Sequence, residues 1–393
     1  MITIFLISIF IPIILIILSI ILYIKIRESS DTVLKAPLNK NFQFLNMNIK
    51  AHVNTKNIDY FSQSPYWRNQ MFELGKHIKN SNVKHIVFVH GTYAGNDPFE
   101  IFTLFTGVFP IYGPILAKLS KRLMKFSTNK LLNDRANFSP AYIKLAGNAL
   151  SNNLKVHDFR WSSGNNHLAR LKGAIDLIKL LSKLKTNSFE KVLLIGHSHA
   201  GQLFCILEHL LQNSNKGIKL KQFMKNSNQF DLEYFEDSIN KLSNEHHYIT
   251  MGAPSRYQWP SNHRYKILHL INHRGLYPYG GSFLGLFFTT GGDYIQQMGI
   301  AGSDVPPIFK NDRNLNDSLN KILDNGNNLV LWNNNIFKKQ RLSNWGQTLL
   351  IDYKDNGLFP NIYKTFFGHG VYTRYEMMLF NFETIVKYLY HPN

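Results

Sequence analysis

The chain has 393 residues, and its 44 Lys and Arg against 25 Asp and Glu give a formal net charge of +19. Because 44% of the residues are hydrophobic and 13% are aromatic, the chain can bury a large core, which excludes wholesale disorder. Its single cysteine, Cys205, excludes an intramolecular disulfide and a cysteine-cluster zinc site. The basic residues are spread along the chain and form no basic-aromatic motif, so the sequence disfavours nucleic acid as a partner.

The N-terminal segment, residues 2–24, carries no charged side chain and is mostly apolar. At about 1.5 Å per residue, a helix of this length exceeds the ~30 Å hydrocarbon core of a bilayer. The segment lacks the charged start and the small-residue cleavage site of a signal peptide, which favours a retained anchor and a single-pass membrane protein. Lys25, Arg27 and Lys35 follow it, so the positive-inside rule predicts that the large domain faces the cytoplasm.

After a polar stretch at 25–80, which we interpret as a juxtamembrane connector, short apolar runs alternate with longer amphipathic ones. This alternation predicts βαβ units, and therefore an α/β domain with a mostly parallel sheet over residues 81–393. Insertions at about 99–150 and 273–340 interrupt it, and long insertions of this kind commonly cover an active site. Strands are predicted at 85–89, 156–159, 192–195, 248–251, 267–271 and 348–351, and helices at 167–184, 202–211 and 373–390.

The strongest motif is a serine at the end of a predicted strand. The run Lys191–Gly201 reads KVLLIGHSHAG, in which an apolar strand enters Gly-x-Ser-x-Ala-Gly. A nucleophilic serine on a sharp strand-to-helix turn needs small residues two positions before and after it, and Gly196 and Ala200 meet this condition. The helix N-terminus directs its N–H groups at a developing oxyanion, with the backbone N–H of His199 as the expected donor. The pattern predicts Ser198 as a nucleophile, with a serine that only caps the helix as the alternative.

A second motif lies earlier in the chain, where the apolar run 86–89 ends in His90-Gly91-Thr92. A glycine at this point lets the backbone approach a substrate and supply a second oxyanion donor. Together with the serine motif and the Gly-Ala-Pro of residues 252–254, this run resembles the α/β-hydrolase family, in particular its lipase and esterase branch. The resemblance implies a mostly parallel sheet with helices on both faces, and a second oxyanion donor at Thr92 or Gly91.

The resemblance also implies a histidine base in a loop after the last strand of the sheet. His369 lies between two glycines after the strand predicted at 348–351, so it is the expected general base. Glycines on both sides suit a loop that must hold an imidazole close to another loop. The alternative is a histidine exposed on that loop with no role in catalysis.

The acid is harder to assign. Members of the family usually carry it just after the strand predicted here at 267–271, but no carboxylate occurs between Glu245 and Asp293. Asp293 is the first acid after that strand and keeps the order serine, acid, histidine, so we rank it first. Asp352, at the end of the strand that precedes His369, ranks second. The other candidates are Asp304 and Asp355.

These features predict a membrane-anchored serine hydrolase that cleaves an acyl ester, with a lipid-like substrate favoured by the anchor and by the apolar segment at 99–123. No cofactor is implied. A metal site is disfavoured because the histidines show no His-Glu-x-x-His or similar spacing. Two alternatives stay open: an acyltransferase or amidase with the same triad, and a non-catalytic hydrolase-like interaction protein tethered to the membrane.

Overall fold

Seven parallel strands form the sheet in the part of the chain that the structure describes. The computed structural model describes residues 42–46, 64–92, 136–150, 153–242, 244–260, 265–273, 292–301, 304–323, 343, 345–353 and 367–390. The strands are β1 (Phe42–Asn46), β2 (Val83–Val89), β3 (Lys155–Phe159), β4 (Lys191–His197), β5 (His246–Met251), β6 (Lys266–Asn272) and β7 (Gln347–Asp352). They form one sheet in the order β1-β7-β6-β5-β4-β2-β3, and every neighbouring pair is parallel. The predicted α/β class with a parallel sheet is therefore confirmed.

Helices separate most of the strands along the chain. The described helices are α1 (Pro65–Asn80), α2 (Pro140–Ala149), α3 (His167–Leu181), α4 (Ala200–Leu211), α5 (Asn215–Ser227), α6 (Leu232–Asn240), α7 (Tyr294–Ala301), α8 (Lys310–Leu323) and α9 (Met378–Ile385). A 3₁₀ turn, Tyr375–Met377, precedes α9, and a π turn, Val386–Tyr390, follows it. The helix predicted at 373–390 is thus a series of three helical types.

The central strands are apolar throughout because both of their faces are covered. In β2, Ile86 and Phe88 pack into one hydrophobic cluster, whereas Val87 and Val89 pack into the other. The first cluster is completed by residues of α1, α2 and α9, and the second by residues of α3, α4, α5 and α8. Helices therefore cover both faces of the sheet, as the sequence predicted.

The interpretation of residues 25–80 as a connector is wrong in part. Strand β1 lies inside this range and pairs with β7, and α1 packs Trp67, Met71 and Ile78 against the sheet. The signal for α1 was present in the sequence, because these apolar residues recur at the spacing of a single helical face. Strand β1 carries no comparable pattern, and its assignment depends on pairing with a strand about three hundred residues later in the chain.

Two predicted segments lie outside the described residues. The expected membrane anchor, residues 2–24, is one of them, and the apolar segment at 99–123 is the other. Among the residues that the structure does describe, none of the helices combines the length and the apolar character needed to span a bilayer. The predicted insertions are described in part, and they contain α2 in the first case and α7 and α8 in the second.

A buried carboxyl lies between α4 and the sheet. Glu208 accepts hydrogen bonds from the Tyr248 hydroxyl and from Gln212 Nε2, the latter at 2.5 Å. Burial raises the pKa of Glu208 to about 7 from its ordinary value of 4.5, and the two hydrogen bonds oppose this shift only in part. The folded protein therefore binds a proton at this site more tightly than the unfolded chain does.

The free energy of unfolding should fall as this carboxyl ionises. Because its pKa is raised in the folded state, its contribution is fully present below pH 4.5 and is lost as the pH rises to about 7. A pKa shift of this size corresponds to a change of about 3 kcal/mol in the free energy of unfolding. Urea denaturation between pH 4.5 and 7.5 measures the free energy of unfolding. With rising pH, this free energy should fall less steeply for Glu208→Gln than for the wild type. The exposed Glu233→Gln is the matched control, and an equal slope in all three proteins would contradict the assignment.

Candidate active site

The serine turn is built at the carboxyl end of β4. The strand ends at His197, Ser198 has a left-handed φ of +56°, and α4 begins at Ala200. A non-glycine residue in this conformation costs about 1–3 kcal/mol and persists only where its surroundings hold it. Here the Ser198 N–H donates to the carbonyl of Met251 at 2.8 Å, which ties the turn to the neighbouring strand β5.

Small residues allow the turn to close, as the sequence predicted. A Cβ at Gly196 would lie 2.9 Å from the Cβ of Ala200 and 2.5 Å from the ring of Phe204. A Cβ at Gly201 would lie 2.5 Å from the Cβ of Ala253. The strand, the helix and the segment after β5 therefore approach each other more closely than side chains would permit.

The loop after β2 lies directly against the serine. A Cβ at Gly91 would lie 2.6 Å from the Cβ of Ser198 and 3.0 Å from the carbonyl oxygen of His197. Thr92 comes next, and its buried hydroxyl has no hydrogen-bond partner among the residues that the structure describes. The backbone of the His90-Gly91-Thr92 motif is thus beside Ser198, where the motif predicts an oxyanion donor.

The predicted base and the first-ranked acid form a buried pair. Nδ1 of His369 lies 2.7 Å from Oδ2 of Asp293, and the Asp293 side chain is fully buried. The other oxygen, Oδ1, accepts the backbone N–H of Gln296 at 2.8 Å. The hydroxyl of Tyr372 donates to Oδ2 at 2.9 Å and accepts the N–H of Asn272 at 2.7 Å. With its Nδ1–H directed at the carboxylate, a neutral His369 ring carries its lone pair on Nε2.

Asp293 reaches the end of β6 although many residues separate it from that strand. An isolated antiparallel bridge joins His273 to Gly292, and the Asp293 N–H donates to the carbonyl of Asn272 at 2.8 Å. Gly292 has a φ of +106°, and a Cβ there would lie 2.7 Å from the Asn272 oxygen. By Gly292 the chain has therefore returned to the end of β6, which the spacing of acids along the sequence did not reveal.

The loop of His369 is held against this return point. The side-chain amide of Asn272 donates to the carbonyl of Gly368 at 3.0 Å, and the Tyr294 N–H donates to the carbonyl of Phe367 at 3.1 Å. Gly368 has a φ of +82°, and a Cβ there would collide with the carbonyl oxygen of Gly292. The glycine before the histidine is therefore required by a close backbone contact.

Two further histidines flank the serine. His197 donates from Nε2 to the carbonyl of His369 at 2.9 Å, and the two rings lie 4.5 Å apart. Burial lowers the pKa of His197 to about 3, so it is a neutral donor at physiological pH. Nδ1 of His199 lies 3.4 Å from Oγ of Ser198, and burial followed by the charge of Arg170 keeps the pKa of His199 well below its ordinary value. No hydrogen bond joins the hydroxyl of Ser198 to the ring of His369 among the described residues.

The other candidate acids differ in what the structure describes of them. Asp304 contacts Arg170 at 2.7 Å, Arg256 at 2.8 Å and His167 at 3.0 Å. Burial opposes its ionisation, but the two guanidinium groups outweigh burial and hold the pKa of Asp304 well below its ordinary value. Asp352 ends β7, and the hydrogen bond described at His369 Nδ1 is the one to Asp293. Asp355 lies outside the described residues.

Sequence reasoning missed three groups near the site. Tyr372 was not singled out, although it follows His369 closely in sequence. Its hydroxyl donates to Oδ2 of Asp293, the oxygen that His369 also contacts. Trp161, which donates to the carbonyl of His90, and the buried pair Arg170 and Arg256 gave no recognisable pattern. The described residues also contain no group of three or more His, Cys, Asp or Glu side chains placed to hold a metal ion.

Comparison of the chain with protein-family models, with curated proteins and with solved structures finds no match. The geometry of the site itself is therefore the basis for a functional assignment.

The close packing at Gly196 gives a test of the turn. We expect Gly196→Ala to lower the free energy of unfolding by about 1–3 kcal/mol, because the added methyl group overlaps the ring of Phe204. Gly147→Ala in α2 is the matched control, since its Cβ meets Val156 at an ordinary 3.6 Å. In Gly147→Ala the free energy of unfolding should rise by about 0.5–1 kcal/mol, because alanine favours the helix more than glycine does. Equal stabilities of the two variants in urea denaturation would contradict the packing described for the turn.

Proposed function

We propose that the chain is a serine hydrolase of the α/β-hydrolase fold, with Ser198 as nucleophile, His369 as general base and Asp293 as acid. The observation that carries the proposal is the buried 2.7 Å contact between His369 and Asp293, held on a loop whose backbone is bonded to His197, the residue next to the strained serine. The order serine, acid, histidine along the chain agrees with the family that the sequence resembles.

The fold supports the same assignment. In the α/β-hydrolase family the oxyanion glycine, the nucleophile, the acid and the base follow different strands of one parallel sheet. Here the corresponding residues follow β2, β4, β6 and β7, and the sheet order β3-β2-β4-β5-β6-β7 brings these strand ends to one edge. The serine turn lies near the middle of this edge, where neighbouring strand ends can surround a substrate.

The proposed reaction begins with rotation of the Ser198 hydroxyl away from Nδ1 of His199 towards Nε2 of His369. Hydrogen bonds of this kind are often absent before the substrate binds. As Oγ attacks the acyl carbon, its proton passes to Nε2, and Asp293 stabilises the imidazolium through Nδ1–H without taking the proton. The same Nε2–H then protonates the leaving alcohol, which leaves the acyl group on Ser198.

Water completes the cycle. His369 takes a proton from the water molecule as its oxygen attacks the acyl-enzyme, and it returns this proton to Oγ of Ser198 when the acid leaves. In both halves the carbonyl oxygen becomes an oxyanion. The N–H of His199, at the start of α4, is one proposed donor to it, and the N–H of Thr92 or Gly91 is the second.

The substrate that we propose is an acyl ester of a lipid or a similar amphiphile. Residues 2–24 are long and apolar enough to anchor the chain, and a net charge of +19 favours an anionic membrane surface. The basic residues that follow the segment place the domain on the cytoplasmic side in this proposal. A hydrolase held at a bilayer meets lipid esters at a high local concentration.

A fluorophosphonate probe tests the triad directly, because it phosphonylates only an activated serine. We expect labelling of the wild type, none of Ser198→Ala, and rates lowered by about 10³-fold or more in His369→Ala and Asp293→Asn. Asp352→Asn is the matched control for the acid and should label within twofold of the wild type. Labelling measured by gel fluorescence against time gives these rates.

Each outcome has a distinct meaning. Equal labelling of the wild type and Ser198→Ala contradicts the assigned nucleophile, and a wild type that is neither labelled nor active supports the non-catalytic alternative. A larger loss in Asp352→Asn than in Asp293→Asn contradicts the assigned acid. Transfer of the acyl group to an added alcohol or amine in preference to water supports an acyltransferase.

The anchor has its own test. The full-length chain should stay in the membrane pellet after alkaline carbonate extraction. The double variant Ile14→Arg, Leu15→Arg should move to the supernatant, since each arginine at the centre of a membrane helix costs about 2.5–3.5 kcal/mol on insertion. Ile14→Leu is the control and should behave as the wild type does. A wild type found in the supernatant contradicts the anchor.

A further inference from the structure

A buried tryptophan contacts the loop that follows β2 and lies beside Ser198. Trp161 follows β3, the edge strand next to β2, and its Nε1–H donates to the carbonyl of His90 at 2.8 Å. Its ring is stacked on the His90 imidazole with the planes 12° apart. The indole also lies close to Gly173 of α3, where a Cβ would lie 3.0 Å from Cε3. The contacts with His90 and with Gly173 together restrain the position of the indole N–H.

This hydrogen bond determines where the next N–H points. The peptide unit between His90 and Gly91 is planar and trans, so its C=O and N–H point in opposite directions. A donor that fixes the carbonyl of His90 on one side therefore fixes the N–H of Gly91 on the other. The same argument applies one residue later. Nδ1 of His90 donates to the carbonyl of Gly91 at 3.0 Å, which fixes the direction of the Thr92 N–H.

The need for such restraint arises from Gly91 itself. Its Cβ would overlap Ser198, so the position requires glycine, and glycine gives the backbone more freedom than any other residue. An oxyanion donor is effective only if its direction is set before the reaction, because reorganisation during the reaction costs free energy. The position therefore requires glycine, but the direction of its N–H must be fixed. The side chains of Trp161 and His90 restrain the backbone at this point.

We propose that Trp161 is a positioning residue for the oxyanion site, acting through the His90 carbonyl on the N–H groups of Gly91 and Thr92. The inference rests on the proposed function and extends it to a residue that does not touch the substrate. Its effect is confined to states that carry an oxyanion, so it concerns the rate of acyl transfer and not the binding of the ester. A tryptophan that only fills space would not affect the rate of acyl transfer separately from the binding of the ester.

The test compares Trp161→Phe with Trp67→Phe. Both tryptophans are buried, but Trp67 lies in α1, in the hydrophobic cluster on the other face of the sheet from Trp161. With p-nitrophenyl butyrate we expect Trp161→Phe to lower kcat about tenfold or more, with KM within twofold. The inhibition constant of butylboronic acid, which forms a tetrahedral adduct on an active serine, should rise by a similar factor. Trp67→Phe should match the wild type in all three.

A second variant separates the hydrogen bond from packing. Site-specific replacement of Trp161 by 3-benzothienylalanine keeps the shape of the ring and replaces its N–H by sulfur. The same loss of kcat and of boronate affinity supports the proposal, and this variant decides the question if Trp161→Phe does not fold. An unchanged kcat, a loss confined to KM, or an unchanged boronate constant overturns it. These results leave the proposed function intact as long as the wild type is labelled by fluorophosphonate and Ser198→Ala is not.

Discussion

The parallel arrangement of the sheet is the constraint on which the site depends. Because every neighbouring pair of the described strands is parallel, their carboxyl ends lie at one edge, and residues far apart in sequence meet there. Gly91 lies against Ser198 at this edge, and the loop of His369 bonds both to His197 and to the segment around Asp293. The edge is closely packed, since glycines at several of these contacts have no space for a side chain.

The second feature of the site is its electrostatic design. His197 and His199 are buried and kept neutral, so they can serve as hydrogen-bonding groups without adding charge beside the base. Beyond His199, Asp304 lies between Arg170 and Arg256, and this cluster contains two cations for one carboxylate. The positive charge of Arg170 contributes to keeping His199 unprotonated. In the proposed mechanism this leaves His369 as the only imidazole beside the serine that changes its charge.

Several peptide groups in the site are held in place by hydrogen bonds. The amide of Asn272 fixes the carbonyl of Gly368, the backbone of Asn272 fixes Asp293, and the indole of Trp161 fixes the carbonyl of His90. In each case a side chain or strand end restrains a peptide unit in or next to a glycine. Glycine permits the close approach, and the added hydrogen bonds offset the conformational freedom that it introduces.

The sequence by itself determined the α/β class, the main strands, the serine turn with its small neighbours and the loop that carries His369. These features are local, since each depends on a periodicity or on a motif of a few adjacent residues. Only the tertiary structure decided that Asp293 is the partner of His369, because the return of the chain at the His273–Gly292 bridge is a contact across a long insertion. It alone revealed β1, whose pairing partner is distant in sequence, and the contact of Trp161 with His90, which joins the ends of two strands. Such contacts leave no periodic signal along the chain, and they become visible only when the sheet brings its strands together.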